Sequence, residues 1–419
     1  MENRRIVVVG AGIIGLCSAY ELARRGVEVM VLDRCSTFDS ASCGNAGLFS
    51  IGHGPLTKPG ASWRGVRMMF DSRSPLWIRP SLSPELLRWL LTFHRHCTQA
   101  HLDRCLHTLC AMGWRTIEAL EEILDRESID CLYQRNGWLD LFRDDSLLTV
   151  AMHEAAAIAP YGYRTDFISG NELRKGNSIY RDEIAGAVHY VDSATLHPGR
   201  LVRSLASALA ARGVSIRTNS TVTGLERDKS GRCTGARLAS GEVVTAATTV
   251  LAAGIWSDDL ARDAGLRIAM QPARGYHVQI DGLARLPCTG GIMREVSVPF
   301  TPMGSQLRLA GTLEIAPVGR PWMRKRIDAL LTGARKYFHG IEHGHVTHEW
   351  AGYRPCTADG MPVIGAIAQT PGLYVATGHA MMGLTLGPVT GRIVAADLCG
   401  EPQCIDEEIL RMIRPRHCD

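Results

Sequence analysis

Four consecutive β-branched residues, Ile6-Val7-Val8-Val9, form an apolar block without polar alternation, the pattern of a strand buried on both faces. Leu16 to Arg25 reads as a helix stopped by Gly26, and Val27 to Leu32 is a second strand ending at Asp33. Strand, helix and strand in this order predict a βαβ unit within a parallel sheet. Residues 34–60 are rich in Ser, Gly and Pro and read as loop; residues 63–127 read as mostly helical, punctuated by Pro75, Pro80 and Pro84. Residues 131–142 predict strands around an Asn136-Gly137 hairpin turn. Ala151 to Ala159 predicts a helix, Asn171 to Arg174 a short one, and Gly186 to Val191 a strand.

In the second half, Pro198 to Arg212 is an amphipathic helix ended by Gly213, and short strands follow up to Thr249-Val250-Leu251. Residues 270–320 alternate polar and apolar positions with Pro and Gly at turns, which suggests an antiparallel sheet. Trp322 to Phe338 predicts a helix. Beyond Glu349 come Gly-rich loops, a strand at Leu373–Thr377 and a helix from Gly387 to Cys399. The fold class is therefore α/β, with a Rossmann-type nucleotide domain assembled from discontinuous segments plus an α+β substrate domain built on an antiparallel sheet. The boundaries place residues 1–60, 190–268 and 346–419 in the nucleotide domain, and 61–189 and 269–345 in the substrate domain.

Composition narrows the function classes. A formal charge of +4 with no Lys/Arg block argues against nucleic acid as a partner. The 13 cysteines are scattered without a C-x-x-C pair, which suits a reducing, cytoplasmic setting better than a disulfide framework; no metal site is expected. Arg4-Arg5 before an apolar run imitates a signal peptide, but cleavage would destroy the βαβ unit. No stretch of ~18 apolar residues exists to span a membrane. Leu86 to Phe93, with Trp89, Leu90 and Leu91, is the candidate for peripheral contact at the inner membrane face; an ordinary packed helix is the competing reading.

The turn between the first strand and helix is Gly10-Ala11-Gly12-Ile13-Ile14-Gly15. Gly10 suits the tight turn, Gly12 the approach of a pyrophosphate, and Gly15 the packing of helix on strand. The helix N-terminus offers free N–H groups and a positive dipole end. Asp33 is placed to accept hydrogen bonds from ribose hydroxyls. Either a nicotinamide or a flavin dinucleotide satisfies this fingerprint.

Four further motifs carry a resemblance: Ser42-Cys43-Gly44-Asn45-Ala46-Gly47, Leu251-Ala252-Ala253-Gly254-Ile255-Trp256-Ser257, Gly352-Tyr353-Arg354-Pro355 continuing to Asp359-Gly360-Met361-Pro362, and Thr377-Gly378-His379 with Gly383-Leu384-Thr385. Together the chain resembles the FAD-dependent D-amino acid oxidase/dehydrogenase superfamily, in its bacterial D-amino acid dehydrogenase branch, which includes relatives acting on D-hydroxyproline. The resemblance implies noncovalent FAD held by Gly10, Gly12, Ile13, Ile14, Gly15, Asp33 and Arg34. It adds the loop Ser42, Gly44, Asn45, Ala46, Gly47 and Leu48. It further implies Val222, Ala253, Gly254 and Trp256, and a flavin-ring loop of Gly378, His379, Met382, Gly383, Leu384 and Thr385. Arg354 would pair with the substrate carboxylate, since an arginine fork matches a carboxylate bidentately. Tyr276 would add a hydroxyl donor, and His53 would line the pocket. Cys356, next to that arginine, is out of register for covalent flavin attachment. The implied reaction is oxidative deamination of a D-amino acid by hydride transfer from Cα to flavin N5, with electrons passed to a quinone or another acceptor. A cis-4-hydroxy-D-proline dehydrogenase or oxidase, with a cyclic imino acid as substrate, is the alternative. A glycine/sarcosine-type oxidase and a non-catalytic flavin subunit are the further ones. Met381 stands where glycine oxidases carry an arginine, which argues against that subgroup.

Overall fold

The computed structural model describes residues 5–36, 40–52, 54–62, 65, 74–79, 81, 83–262 and 264–415. Strand Ile6–Val9 has every side chain buried and lies inside a six-stranded sheet, as its unbroken apolar run requires. The strand order is Val363–Ala366, Leu373–Thr377, Thr248–Leu251, Ile6–Val9, Val29–Leu32, Ser215–Arg217. All neighbours run parallel except the first pair. The N-terminal, middle and C-terminal stretches of the chain thus converge in one sheet. Helix Ile13–Arg24 starts before Leu16 because Gly12 is its N-cap and the turn leads straight into it. Helix Gly383–Cys399 also starts earlier than expected, and Val363–Ala366 was not anticipated.

A nine-stranded, mostly antiparallel sheet forms the second layer. Its path runs His345–Thr357, Met270–Asp281, Gln306–Ile315, Val298–Met303, Gly291–Met293, Trp138–Phe142, Gly186–Tyr190, Thr165–Ser169, with Leu76–Ile78 added alongside Gln306–Ile315. Two expectations fail here. Residues from Glu349 read as loop, yet His345–Thr357 is a long strand that crosses the boundary placed at 346 and pairs throughout with Met270–Asp281. It tolerates Pro355 because, as the edge strand, it is laddered on one side only. Asn136-Gly137 makes no hairpin. Gly137 is a turn (φ +72°), but Trp138–Phe142 pairs with Gly291–Met293 and Gly186–Tyr190 instead of with residues 131–135.

The helical expectation over 63–127 resolves into Pro84–His96 and Gln99–Arg126, and its part at 66–73 lies outside the described residues. Asp144 caps Ser146 and Leu147, so the next helix runs Asp145–Ala156 rather than from Ala151. Gly170–Gly176 starts at a Ser169/Glu172 capping box, and Arg324–Ala334 is shorter than its apolar pattern. In Pro84–His96 the packed-helix reading accounts for Leu86 and Trp89. Both are buried, and the Trp89 indole N–H donates to the Cys356 carbonyl at 3.0 Å. Leu87 and Leu91 remain outward. Among the described residues no helix is long and apolar enough to cross a membrane, and all described cysteines are free thiols.

Candidate active site

Between the two sheets lies a cavity of about 720 Å³, within the range of cofactor and ligand sites. The first turn closes one end. A Cβ at Gly10 (φ +110°) would sit 2.5 Å from the Ala252 carbonyl oxygen, and one at Gly15 would sit 1.9 Å from the Gly10 carbonyl oxygen. These glycines let strand, turn and helix close on one another. Gly12 differs: its nearest neighbour would be Ser42 Oγ at 3.4 Å, so the space before it belongs to the cavity. Ser42 Oγ also accepts the free N–H of Ile13 at 3.0 Å, which ties the 42–48 loop to the helix N-terminus. Asp33 accepts from Ala11 N–H at 2.6 Å and Cys35 N–H at 2.8 Å. Its carboxylate both braces the turn and lines the cavity, with acceptor capacity left for hydroxyls. Arg34 stacks on Trp256, its guanidinium carbon 3.4 Å from the ring centroid, and both line the same end with Val222. At the other end Met382 caps helix Gly383–Cys399, so two helix N-termini converge on one cavity.

The large sheet supplies the far wall, with Trp350, Tyr353 and Arg354 on the edge strand, and Trp138, Ile292 and Pro299 on inner strands. The guanidinium of Arg354 lies over Gly275, where a Cβ would come within 2.0 Å of Nη1. Nη1 donates to the Thr312 carbonyl at 3.1 Å. Thr312 has φ +56°, a costly conformation for a β-branched residue, so the backbone is held in an unusual shape where it orients this arginine. No described carboxylate lies within ion-pair distance of Arg354, and burial holds its pKa below the usual arginine value. The described acids lining the cavity, Asp33 and Asp259, lie at the Arg34–Trp256 end. Arg354 is therefore a cation facing a cavity without a counter-ion among the described residues, a ready site for an anion.

Most of the sequence-derived site residues meet around this cavity: Gly10, Gly12, Ile13, Ile14, Asp33, Arg34, Ser42, Gly44, Asn45, Ala46, Leu48, Val222, Ala253, Gly254, Trp256, His379, Met382, Gly383, Leu384 and Arg354. Gly15, Gly47, Gly378 and Thr385 stand behind the lining; Gly47 abuts the Leu196 carbonyl and the Thr385 carbonyl accepts from the Thr116 hydroxyl. The expectation for Tyr276 is not met. Its side chain points to the opposite face of the sheet, where its hydroxyl donates to Glu314 and accepts from Met323 N–H. His53 lies outside the described residues. His379 is buried with Nε2 3.0 Å from Thr390 Oγ1, and burial lowers its pKa to about 3, so its ring is neutral.

Three contributors were not anticipated. Tyr353 ties the 317–323 segment to the edge strand: its hydroxyl accepts from Gly319 N–H at 3.1 Å, and Arg274 stacks on its ring. Arg308, on Gln306–Ile315, donates to the carbonyls of Cys43 (3.0 Å) and Asn45 (2.7 Å). His277 takes the Gly44 carbonyl at 3.0 Å through Nδ1 and stacks on Trp350. Only the alternation of the strand, once its register is known, could have found the last two.

The chain matches the FAD dependent oxidoreductase family over residues 5–397. It belongs to that family. It is 30% identical over 420 residues to the D-amino acid dehydrogenase of Xylella fastidiosa (strain M23), covering 98% of this chain and 95% of the relative. It is also 30% identical to the D-amino acid dehydrogenase of Cereibacter sphaeroides (strain ATCC 17029), covering 98% and 96%. Its fold is shared with glycine oxidase from Geobacillus kaustophilus, with a TM-score of 0.76 at 22% identity over 99% of this chain and 100% of the other. The site suits the family's FAD: a phosphate cradle open at Gly12, an acid and a cation–aromatic stack at one end, and room beside Arg354 at the other.

Burial also fixes how this region responds to acid. His197 and His379 have pKa values lowered to about 4 and about 3, and His277 and His101 are lowered too, each chiefly by desolvation. All four take up protons in the unfolded chain before the folded one. Their contribution to stability is complete above about pH 6.5 and lost as the pH falls below it. Asp140, raised to about 6 by burial, opposes them between about pH 6 and its unfolded value near pH 4. Four groups against one give a net loss. Urea midpoints measured with saturating FAD are expected to fall from about pH 7 to about pH 5, before most carboxylates titrate.

Proposed function

We propose that this protein is a D-amino acid dehydrogenase that binds the α-carboxylate of its substrate on Arg354. The observation that carries this reading is the Arg354 guanidinium itself, in the cavity, held by one carbonyl and facing no acid among the described residues. The flavin, when bound, supplies a two-electron hydride acceptor. The protein's part is positioning. Arg354 fixes the carboxylate by two parallel hydrogen bonds, which sets the orientation of the Cα–H bond. Among the described residues no acid lines this end of the cavity to stabilise an ammonium, so the site favours the neutral amine, whose lone pair forms the C=N bond as the Cα–H bond breaks. The imine then hydrolyses to an oxo acid and ammonia, or stays cyclic for a proline-type substrate. Trp350 and Trp138 contribute apolar surface to the cavity wall and help exclude water from it. Cys356 is buried with its thiol pushed up to about 12, a poor nucleophile, which supports a cofactor held without a covalent bond to it. A quinone-type carrier is the acceptor we assign, following the dehydrogenase relatives rather than the oxidases.

The test is anaerobic mixing of the holoenzyme with D-amino acids, cis-4-hydroxy-D-proline, their L-enantiomers and glycine, following flavin bleaching. Rapid bleaching by D-substrates is expected. If no amine-bearing acid reduces the flavin, the reading fails. Reoxidation by a soluble quinone much faster than by air identifies the acceptor class; the reverse order makes the protein an oxidase.

A further inference from the structure

We propose that Arg308 is a positioning residue that presents the 43–46 loop to the flavin and, by its uncompensated charge, makes the bound flavin easier to reduce. The side chain is 3% exposed and sits on the inner strand Gln306–Ile315. Its Nη1 donates to the carbonyls of Cys43 and Asn45, and its Nη2 to Gln279 Oε1 at 3.1 Å. His277, from the adjacent strand, takes the Gly44 carbonyl between them. Three consecutive carbonyls thus turn toward the sheet. A trans peptide points its N–H away from its C=O. The Ala46 N–H therefore leaves the Asn45 carbonyl on the opposite side; Ala46 lines the cavity, and its N–H has no partner among the described residues.

The charge balance is the second half of the argument. Among the described residues no carboxylate pairs with Arg308, and a neutral amide, Gln279, occupies the place beside Nη2 where an acid would neutralise it. Burial lowers its pKa to about 10, which leaves it protonated at neutral pH. A loop could be clamped by neutral donors at lower desolvation cost. A buried cation acts at long reach through a low-dielectric interior and favours negative charge on the far side of the loop, which is where the cofactor gains electrons. This inference rests on the family's FAD and not on the substrate reading.

Sulfite titration of the oxidised holoenzyme tests it, because sulfite adds reversibly to electron-poor flavins and no amino acid is involved. Gln279→Glu keeps the Arg308 hydrogen bonds but supplies the missing counter-charge. Its sulfite dissociation constant is expected to rise about tenfold, while FAD affinity stays within about threefold of wild type. Arg308→Gln is expected to weaken sulfite to a similar degree and to loosen FAD as well. Unchanged sulfite affinity in FAD-loaded Gln279→Glu overturns the proposal, even if Arg308→Gln fails to fold. Failure of D-amino acids to bleach the flavin would leave this result standing, so the two readings are separable.

Discussion

Replacing Arg354 by leucine is expected to raise the dissociation constant for the amino acid, read from the concentration dependence of anaerobic flavin reduction, by roughly thirty-fold to several thousand-fold. The range follows from the about 2–5 kcal/mol lost when one partner of a buried, hydrogen-bonded charge pair is removed. FAD affinity should hold, because Arg354 stands at the opposite end of the cavity from the phosphate turn. Fold stability should hold or rise, because the native state loses one hydrogen bond, to Thr312, and is relieved of a desolvated cation without a counter-ion. Arg354→Lys keeps charge but not the fork, so it should fall between the two. A leucine variant that binds substrate as wild type does would remove the carboxylate site.

The cradle was readable from sequence because it is built from local signals. Gly10 to Gly15 sits between a buried strand and a helix, and each glycine's role depends on neighbours a few residues away. Arg354 was readable through its motif. What sequence could not supply is the facing of strand residues. Tyr276 and His277 are adjacent on Met270–Asp281, so they point to opposite sides of the sheet, and one residue of register decides which meets the cavity loop. A register shift between Arg274 and Tyr276, whose partners are Glu314 and Gly311, adds to the ambiguity. Arg308 reads as an ordinary sheet arginine until the 43–46 loop is folded against it. The loop expectation beyond Glu349 fails for a related reason: Gly352 and Pro355 are loop signals on their own, and their tolerance comes from an edge position that only the assembled sheet defines.

The two glycines of the first turn should separate folding from cofactor binding. Gly15→Ala places a methyl 1.9 Å from the Gly10 carbonyl oxygen, a backbone atom that cannot move without parting the helix from the turn. Overpacking of this kind costs about 1–3 kcal/mol or more, so the variant should have a lower unfolding midpoint with or without FAD. Gly12→Ala meets nothing closer than Ser42 Oγ at 3.4 Å, and Gly12 already has φ −71°, open to any residue. Its apoprotein should unfold as wild type does. The added methyl instead projects into the space where the pyrophosphate must meet the N–H groups at the start of helix Ile13–Arg24, and separates charge from donors by about the width of a methyl group. Losing one or two charge-assisted hydrogen bonds at about 1.5–3 kcal/mol each predicts FAD binding weaker by about tenfold to a thousand-fold or beyond, measured by fluorescence titration of the apoprotein. Equal FAD affinity in Gly12→Ala and wild type would mean that the phosphates lie elsewhere. Equal unfolding midpoints in Gly15→Ala and wild type would mean that the helix does not seat on the turn as the backbone contact requires.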